Sequence, residues 1–96
     1  MEKQPCVYIL SNERNGTLYI GVTSNLVQRV WQHKQGLADG FTKKYGLKKL
    51  VWFEASDNMA SVIQRERQIK KWNREWKKEL VEKTNPYWND LYDSIV

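Results

Sequence analysis

The stretch Cys6-Val7-Tyr8-Ile9-Leu10-Ser11-Asn12-Glu13-Arg14-Asn15-Gly16-Thr17-Leu18-Tyr19-Ile20-Gly21-Val22 decides the fold. Its two ends, CVYIL (6–10) and LYIGV (18–22), are β-branched and aromatic runs, the composition of strands. Between them Asn15-Gly16 offers two residues that tolerate positive φ, which a tight reversal requires. The unit therefore reads as a β-hairpin. With the turn centred on residues 12–15, Tyr8 and Tyr19 are expected nearly opposite each other, with both rings on one face of the sheet.

Working outward, Thr23, Ser24 and Asn25 offer side-chain oxygens for a helix N-cap. The helix they open is expected over 26–35, stopped by Gly36. Leu26, Val30 and Val27 are its inward candidates. Arg29 and His33, four apart, share a face. Residues 36–46 read as a loop carrying the pair Lys43-Lys44. Residues 47–54 (LKKLVWFE) read as a third strand, expected in a central, covered position from its apolar density. Ser56, Asp57 and Asn58 are again cap candidates. From Met59 the pattern is helical, with Ala60, Ile63, Ile69 and Trp72 on one face and Trp76 and Leu80 continuing it. A break is expected near Asn73, and Asn85-Pro86 ends the helix. The tail, 87–96, alternates aromatic and acidic residues and is expected to fold back as a lid. The sum is β-β-α-β-α-α, an α/β protein with a small antiparallel three-stranded sheet flanked by helices. Ninety-six residues suit a single domain, 1–96.

Net charge is +5, and the excess is local. Between Lys43 and Lys78 eleven basic residues face four acids, Glu54, Asp57, Glu66 and Glu75. Such a surface is either a solvated face or an attractor of polyanions. Lys43, Lys44, Lys70, Lys71 and Arg74 are the candidates for phosphate contacts. Trp76 interrupts the basic run 74–78, which makes it the tryptophan best placed to stack on a base. A membrane partner is not expected, because no apolar run approaches the roughly 20 residues of a bilayer span. Residues 1–5 lack the apolar core of a secretory signal. Cys6 is the one cysteine, so no internal disulfide forms, and a cytoplasmic location is expected.

Elimination narrows the chemistry. One cysteine and one histidine exclude zinc-finger and zinc-hydrolase spacings. The five glycines are scattered, so no phosphate-binding glycine loop exists, and no serine sits in a nucleophile elbow. Two phenols, a guanidinium and an imidazole remain, on one expected wall. They form either a cross-strand aromatic pair of the core with polar neighbours or a phosphate site.

These residues carry a resemblance. Cys6-Val7-Tyr8 followed by Tyr19-Ile20-Gly21 resembles the paired motifs of the GIY-YIG nuclease superfamily, with ten residues between the tyrosines. Arg29 and His33 fall at the offsets of the family's arginine and its His-or-Tyr. Glu66 falls where the family has its metal-binding glutamate. The runs 19–26, Lys44-Tyr45-Gly46, Ile69-Lys70-Lys71-Trp72 and Asn85-Pro86-Tyr87-Trp88 resemble the small stand-alone bacterial branch. Cys6 and Val7 depart from the motif's glycine and isoleucine, both at strand positions without a catalytic group.

The resemblance implies a metal-dependent endonuclease hydrolysing DNA phosphodiester bonds. One tyrosine, Tyr8 or Tyr19, would act as general base toward water while the other binds phosphate or base. Arg29 would hold the scissile phosphate. His33 would assist proton movement or bind phosphate. Glu66 would hold Mg2+ or Mn2+. Asn85 matches the family's late asparagine, with Asn73 as the alternative. The chain has no room for a separate targeting domain, so selection of branched, nicked or flapped DNA, rather than of a sequence, is expected, and DNA repair, recombination and mobile-element defence are equally compatible settings. A free tyrosine is only about 0.1 per cent ionised at pH 7, and lowering its pKa by three units takes roughly 4 kcal/mol, which a neighbouring cation supplies in a partly dry site. Two rivals share parts of the pattern: a nucleic-acid-binding module without activity, and a protein-interaction domain using the acidic-aromatic tail.

Overall fold

The computed structural model describes residues 4–38 and 40–96. Strand β1 (Cys6–Ser11) is buried along its whole length, and β2 (Leu18–Thr23) and β3 (Lys49–Ala55) pair with it on either side, both antiparallel. The order is β2-β1-β3. The centre of the sheet is thus β1, and β3, expected there, is an edge strand. Its residues Leu50, Val51 and Trp52 are covered by elements on both faces, whereas Lys49 and Glu54 mark ends that reach solvent. A run without charge, CVYILS, is what a strand paired on both edges and covered on both faces demands.

The hairpin's last pair is Ser11 with Leu18, so its loop spans 12–17 and is longer than a two-residue turn. Asn15 adopts φ +58°, Gly16 N–H donates to the Glu13 carbonyl, and Thr17 N–H donates to Asn12 Oδ1. The longer loop sets the register. Tyr8 faces Gly21, and Tyr19 faces Leu10. The two tyrosines are therefore diagonal rather than opposite, two positions apart, and still on one face because side chains alternate with period two. Between β1 and β3 the register breaks at Ile9/Leu10, which pair with Trp52 and Leu50 and leave Val51 as the extra residue of a bulge.

Among the described residues five helices accompany the sheet. On one face, α3 (Met59–Lys71) and α4 (Arg74–Thr84) bury Val62, Ile69 and Val81 against Val7, Ile9, Ile20 and Trp52. On the other, α1 (Leu26–Lys34) buries Leu26 and Val30 against Cys6, Tyr8, Leu10, Leu47 and Leu50. Asn25 and Asn58 provide the caps expected near 23–25 and 56–58, each accepting from a backbone N–H. The inward stripe of α3 differs from expectation: Val62 and Ile69 carry it, Ile63 is half-buried and Ala60 is exposed.

The helical run does break at Asn73, whose side chain accepts from Trp76 N–H and opens α4. Trp76 is left exposed by that break instead of continuing an apolar face. Residues 36–46, expected as loop, contain α2 (Gly40–Tyr45), closed by Gly46 at φ +64° and by Leu47 N–H donating to the Thr42 carbonyl. Its apolar side chains lie four apart, too short a repeat for the periodicity to register in sequence.

The tail does fold back. Trp88 is fully buried at φ +57°, a conformation costly for a large residue and held here by indole burial and by its N–H donating to Glu82 Oε2. Leu91 N–H then donates to the Leu50 carbonyl and Asp90 Oδ1 accepts from Leu50 N–H, so the chain lies along the outer edge of β3. It ends in α5 (Tyr92–Ile95), packed near α1. Among the described residues no helix is long and apolar enough to cross a membrane.

Candidate active site

Tyr8 points from the middle of β1 to the α1 face, directly across from Gly21. A Cβ at Gly21 would lie 2.7 Å from Tyr8 Oη, 2.8 Å from its Cζ and 2.9 Å from Tyr19 Cε2. Glycine is needed there because the Tyr8 ring crosses the neighbouring strand at that point. Tyr19 follows on the same face, its ring centroid 6.3 Å from that of Tyr8. His33, two turns along α1, completes the triangle at 5.8 Å from Tyr8 and 5.5 Å from Tyr19.

Both imidazole nitrogens of His33 are engaged. Nε2 is 2.9 Å from the Tyr8 hydroxyl and Nδ1 is 3.0 Å from Thr42 Oγ1. The imidazole is 1 % exposed, as is Tyr8, whereas Tyr19 and Arg29 are half-buried and form the outer layer. Arg29 stands one turn before His33. Its guanidinium is held above the usual arginine range, chiefly by the hydrogen bond to the Tyr8 phenol, which outweighs the opposing effect of burial, with Tyr19 adding in the same direction. A guanidinium only donates, so the phenol oxygen of Tyr8 accepts from Arg29. With His33 protonated at Nδ1, the phenol donates to Nε2 and Nδ1–H donates to Thr42 Oγ1; the other tautomer reverses both bonds. Arg29 Nη1 also donates to Gln32 Oε1 at 3.2 Å.

Tyr8, Tyr19, Arg29 and His33 thus converge as expected, with the Tyr8 ring packed in the apolar cluster of Cys6, Leu10, Val30 and Leu50 and its hydroxyl tied to His33 and Arg29. Thr42 was not among the candidates. It lies in a stretch that carries no recognisable period, and only the fold brings it to His33.

The other candidates are distributed. Glu66 shares a stripe of α3 with Val62 and Ile69, which pack on the face of the sheet away from the phenols. Its side chain is 18 % exposed and forms an ion pair with Lys70 at 3.4 Å. A carboxylate in that apolar stripe is not an ordinary solvated helix charge. Asn85 is buried, its carboxamide N–H groups donating to the carbonyls of Val51 (3.0 Å) and Asn89 (2.9 Å) and its oxygen accepting from Asn89 N–H. Asn73, the alternative, caps α4.

Lys43 and Lys44 are exposed on α2, and Lys70 and Lys71 on the last turn of α3. Arg74 is committed to the hairpin loop, donating through Nη2 to the carbonyls of Asn15 (2.5 Å) and Gly16 (2.6 Å). Among the described residues there is no cluster of three or more His, Cys, Asp or Glu side chains. An apolar groove lined by Trp72, Trp76, Glu79, Leu80 and Lys83 lies at the α3–α4 corner, away from the phenols.

A cation flanked by two phenols, one of them linked to a buried imidazole, has the chemistry to hold an anion and to move a proton. The family model of the GIY-YIG catalytic domain matches residues 4–79. The UPF0213 protein of Syntrophus aciditrophicus is 41% identical over 81 residues, covering 83% of this chain and 91% of that protein. The UPF0213 protein of Clostridium perfringens is 39% identical over 75 residues (78% and 80%), and that of Haloquadratum walsbyi 35% identical over 66 residues (69% and 74%). These names state no activity. No solved structure matches significantly.

The chain belongs to the GIY-YIG family, as a small member related to the UPF0213 proteins, and its antiparallel three-stranded sheet with flanking helices is the fold of that family. Membership implies nuclease-type function on a nucleic-acid substrate, and nucleases of this family generally use divalent metals.

Proposed function

We propose that this protein is a divalent-metal-dependent endonuclease that hydrolyses DNA phosphodiester bonds and selects DNA structure rather than sequence. The observation that carries the proposal is the chain Arg29–Tyr8–His33–Thr42, in which a phenol has a cation on one side and a proton acceptor on the other. In this reading Tyr8 is the general base. Its proton passes to His33 Nε2, the phenolate is stabilised by Arg29, and the oxygen then takes the proton of the attacking water. In this reading His33 is protonated at Nδ1, which donates to Thr42 Oγ1 and leaves Nε2 to accept. Arg29 and Tyr19, the outer layer, contact the scissile phosphate.

Glu66 fits a divalent ion of the Mg2+ or Mn2+ type: it is a hard oxygen donor, partly shielded and loosely paired, and such ions bind through one or two carboxylates with water and phosphate oxygens completing the shell. An ion held there would supply charge neutralisation at phosphorus and on the leaving oxygen; because Glu66 lies on the α3 face and the phenols on the α1 face, this role requires the substrate to reach round the sheet edge formed by β2. Lys43, Lys44, Lys70 and Lys71 supply backbone contacts. Arg74 fixes the hairpin loop, and Asn85 acts by holding the end of α4 to β3.

The test is incubation with duplex, nicked, flapped and branched DNAs, with and without Mg2+ or Mn2+. Tyr8→Phe and Arg29→Ala are expected to lower kcat/KM by about 10^2 to 10^4, and Glu66→Ala to abolish the metal-dependent rate. Cleavage at parental rate by Glu66→Ala, or by Tyr8→Phe, defeats the mechanism. Salt-sensitive binding with no cleavage under any metal defeats the enzymatic assignment.

A further inference from the structure

Helix α2 places Phe41 and Tyr45 four residues apart, on one side of a short turn. Both rings are 44 % exposed, and their centroids are 4.8 Å apart. Phe41 lies in turn 6.4 Å from Tyr19, with the two ring planes inclined by 30°. The row Tyr19–Phe41–Tyr45 therefore runs from the phenol cluster outward into solvent. Its position is not adventitious, because Thr42, adjacent to Phe41, is buried and bonded to His33.

The flank is basic. Lys43 and Lys44 are exposed on the same helix, the Lys44 ammonium 5.4 Å from the Tyr45 ring centroid. From Gly36 to Lys49 the sequence holds four lysines and a single acid, Asp39. Exposed rings among lysines suit a polyanion that itself carries aromatic faces. Bases stacked inside a continuous duplex do not offer those faces, whereas unpaired bases do.

The geometry points to Phe41 and Tyr45 as a stacking platform for unpaired nucleobases adjoining the scissile phosphate, with Lys43 and Lys44 tracking the backbone. This rests on the nucleic-acid reading above and adds the feature by which the site tells substrates apart: strands that are flapped, gapped or splayed next to the cut are preferred over continuous duplex.

The test is fluorescence anisotropy in EDTA with two labelled DNAs, a duplex and the same duplex bearing an unpaired flap. The proteins are the parent, Phe41→Ala, Tyr45→Ala and Tyr45→Phe, with thermal melts to verify folding. The parent is expected to favour the flap. That preference falls at least about fivefold in each alanine variant and is kept by Tyr45→Phe, which retains the ring. The proposal is overturned by a parent without preference, by alanine variants that keep it, or by variants that lose affinity for both DNAs equally. It is also overturned if the rings instead hold a dimer, seen by sedimentation as a parent dimer that Phe41→Ala dissolves while the preference stays. Because no cleavage is read, a protein that discriminates without cutting sustains the platform and removes the nuclease proposal. One that cuts without discriminating does the reverse.

Discussion

Gly21 shows how narrow the tolerances of the site are. Its missing side chain is the space occupied by the Tyr8 ring, and Tyr8 is buried and bonded to His33, so the ring has nowhere to retreat. Gly21→Ala is expected to destabilise by about 1–3 kcal/mol through overpacking. It is also expected to cut kcat/KM more than tenfold, since the phenol must leave His33. Urea unfolding and cleavage of a flapped DNA check this, and an alanine variant with parental stability and rate contradicts it. The phenols, Arg29 and His33 were readable in the sequence because strand period and helix period each place them on one face. Thr42 was not, since its role depends on two elements meeting rather than on any spacing. The diagonal register of Tyr8 and Tyr19 is not legible in the sequence for a related reason: a loop of 12–17 and a tight turn give different pairings while leaving the face unchanged.

At the level of elements, strands and caps were well announced, but strand order was not. Apolar density marks coverage, and β3 is covered by helices and tail although it has one strand neighbour. The α3–α4 break near Asn73 is explained only by the structure, in which the Asn73 side chain caps α4, whereas α2 is too short for a periodic signal. Asn85 belongs to this scale. It is the C-cap of α4, and its carboxamide bridges Val51, the bulged residue of β3, to Asn89. Asn85→Ala strands a buried carbonyl and is expected to cost about 1–3 kcal/mol. Cleavage per folded molecule should fall less than in Tyr8→Phe. Unfolding curves combined with active-fraction-corrected rates decide it. A stable protein that is as inactive as Tyr8→Phe would instead place Asn85 at the reacting phosphate.

Across the whole molecule, the tail is clamped by charge. Burial acts to raise the Asp90 carboxyl, but Lys34 and the amides of Tyr92 and Leu50 outweigh it and leave it below the usual carboxylate range. A depressed folded value means the contribution is fully present above the ordinary aspartate pKa of about 3.9 and is lost as pH falls through the folded value. Asp90→Asn should therefore melt below the parent at pH 7, by a few degrees, with the gap closing below about pH 4. A gap independent of pH would show that packing, not charge, holds the tail. The opposite limb belongs to Cys6, whose thiol burial pushes up. A raised folded value withdraws stability as pH climbs past about 8.5.

The region of family similarity closes at residue 79, yet Val81 and Trp88, both without solvent exposure, complete the layer over Val7, Ile9 and Trp52. A fragment trimmed to the similarity boundary would bare one side of the sheet and release the polypeptide running beside β3. Anyone grafting this GIY-YIG unit into a fusion should therefore set the junction past Ile95, because the buried core extends beyond the segment that the family model outlines.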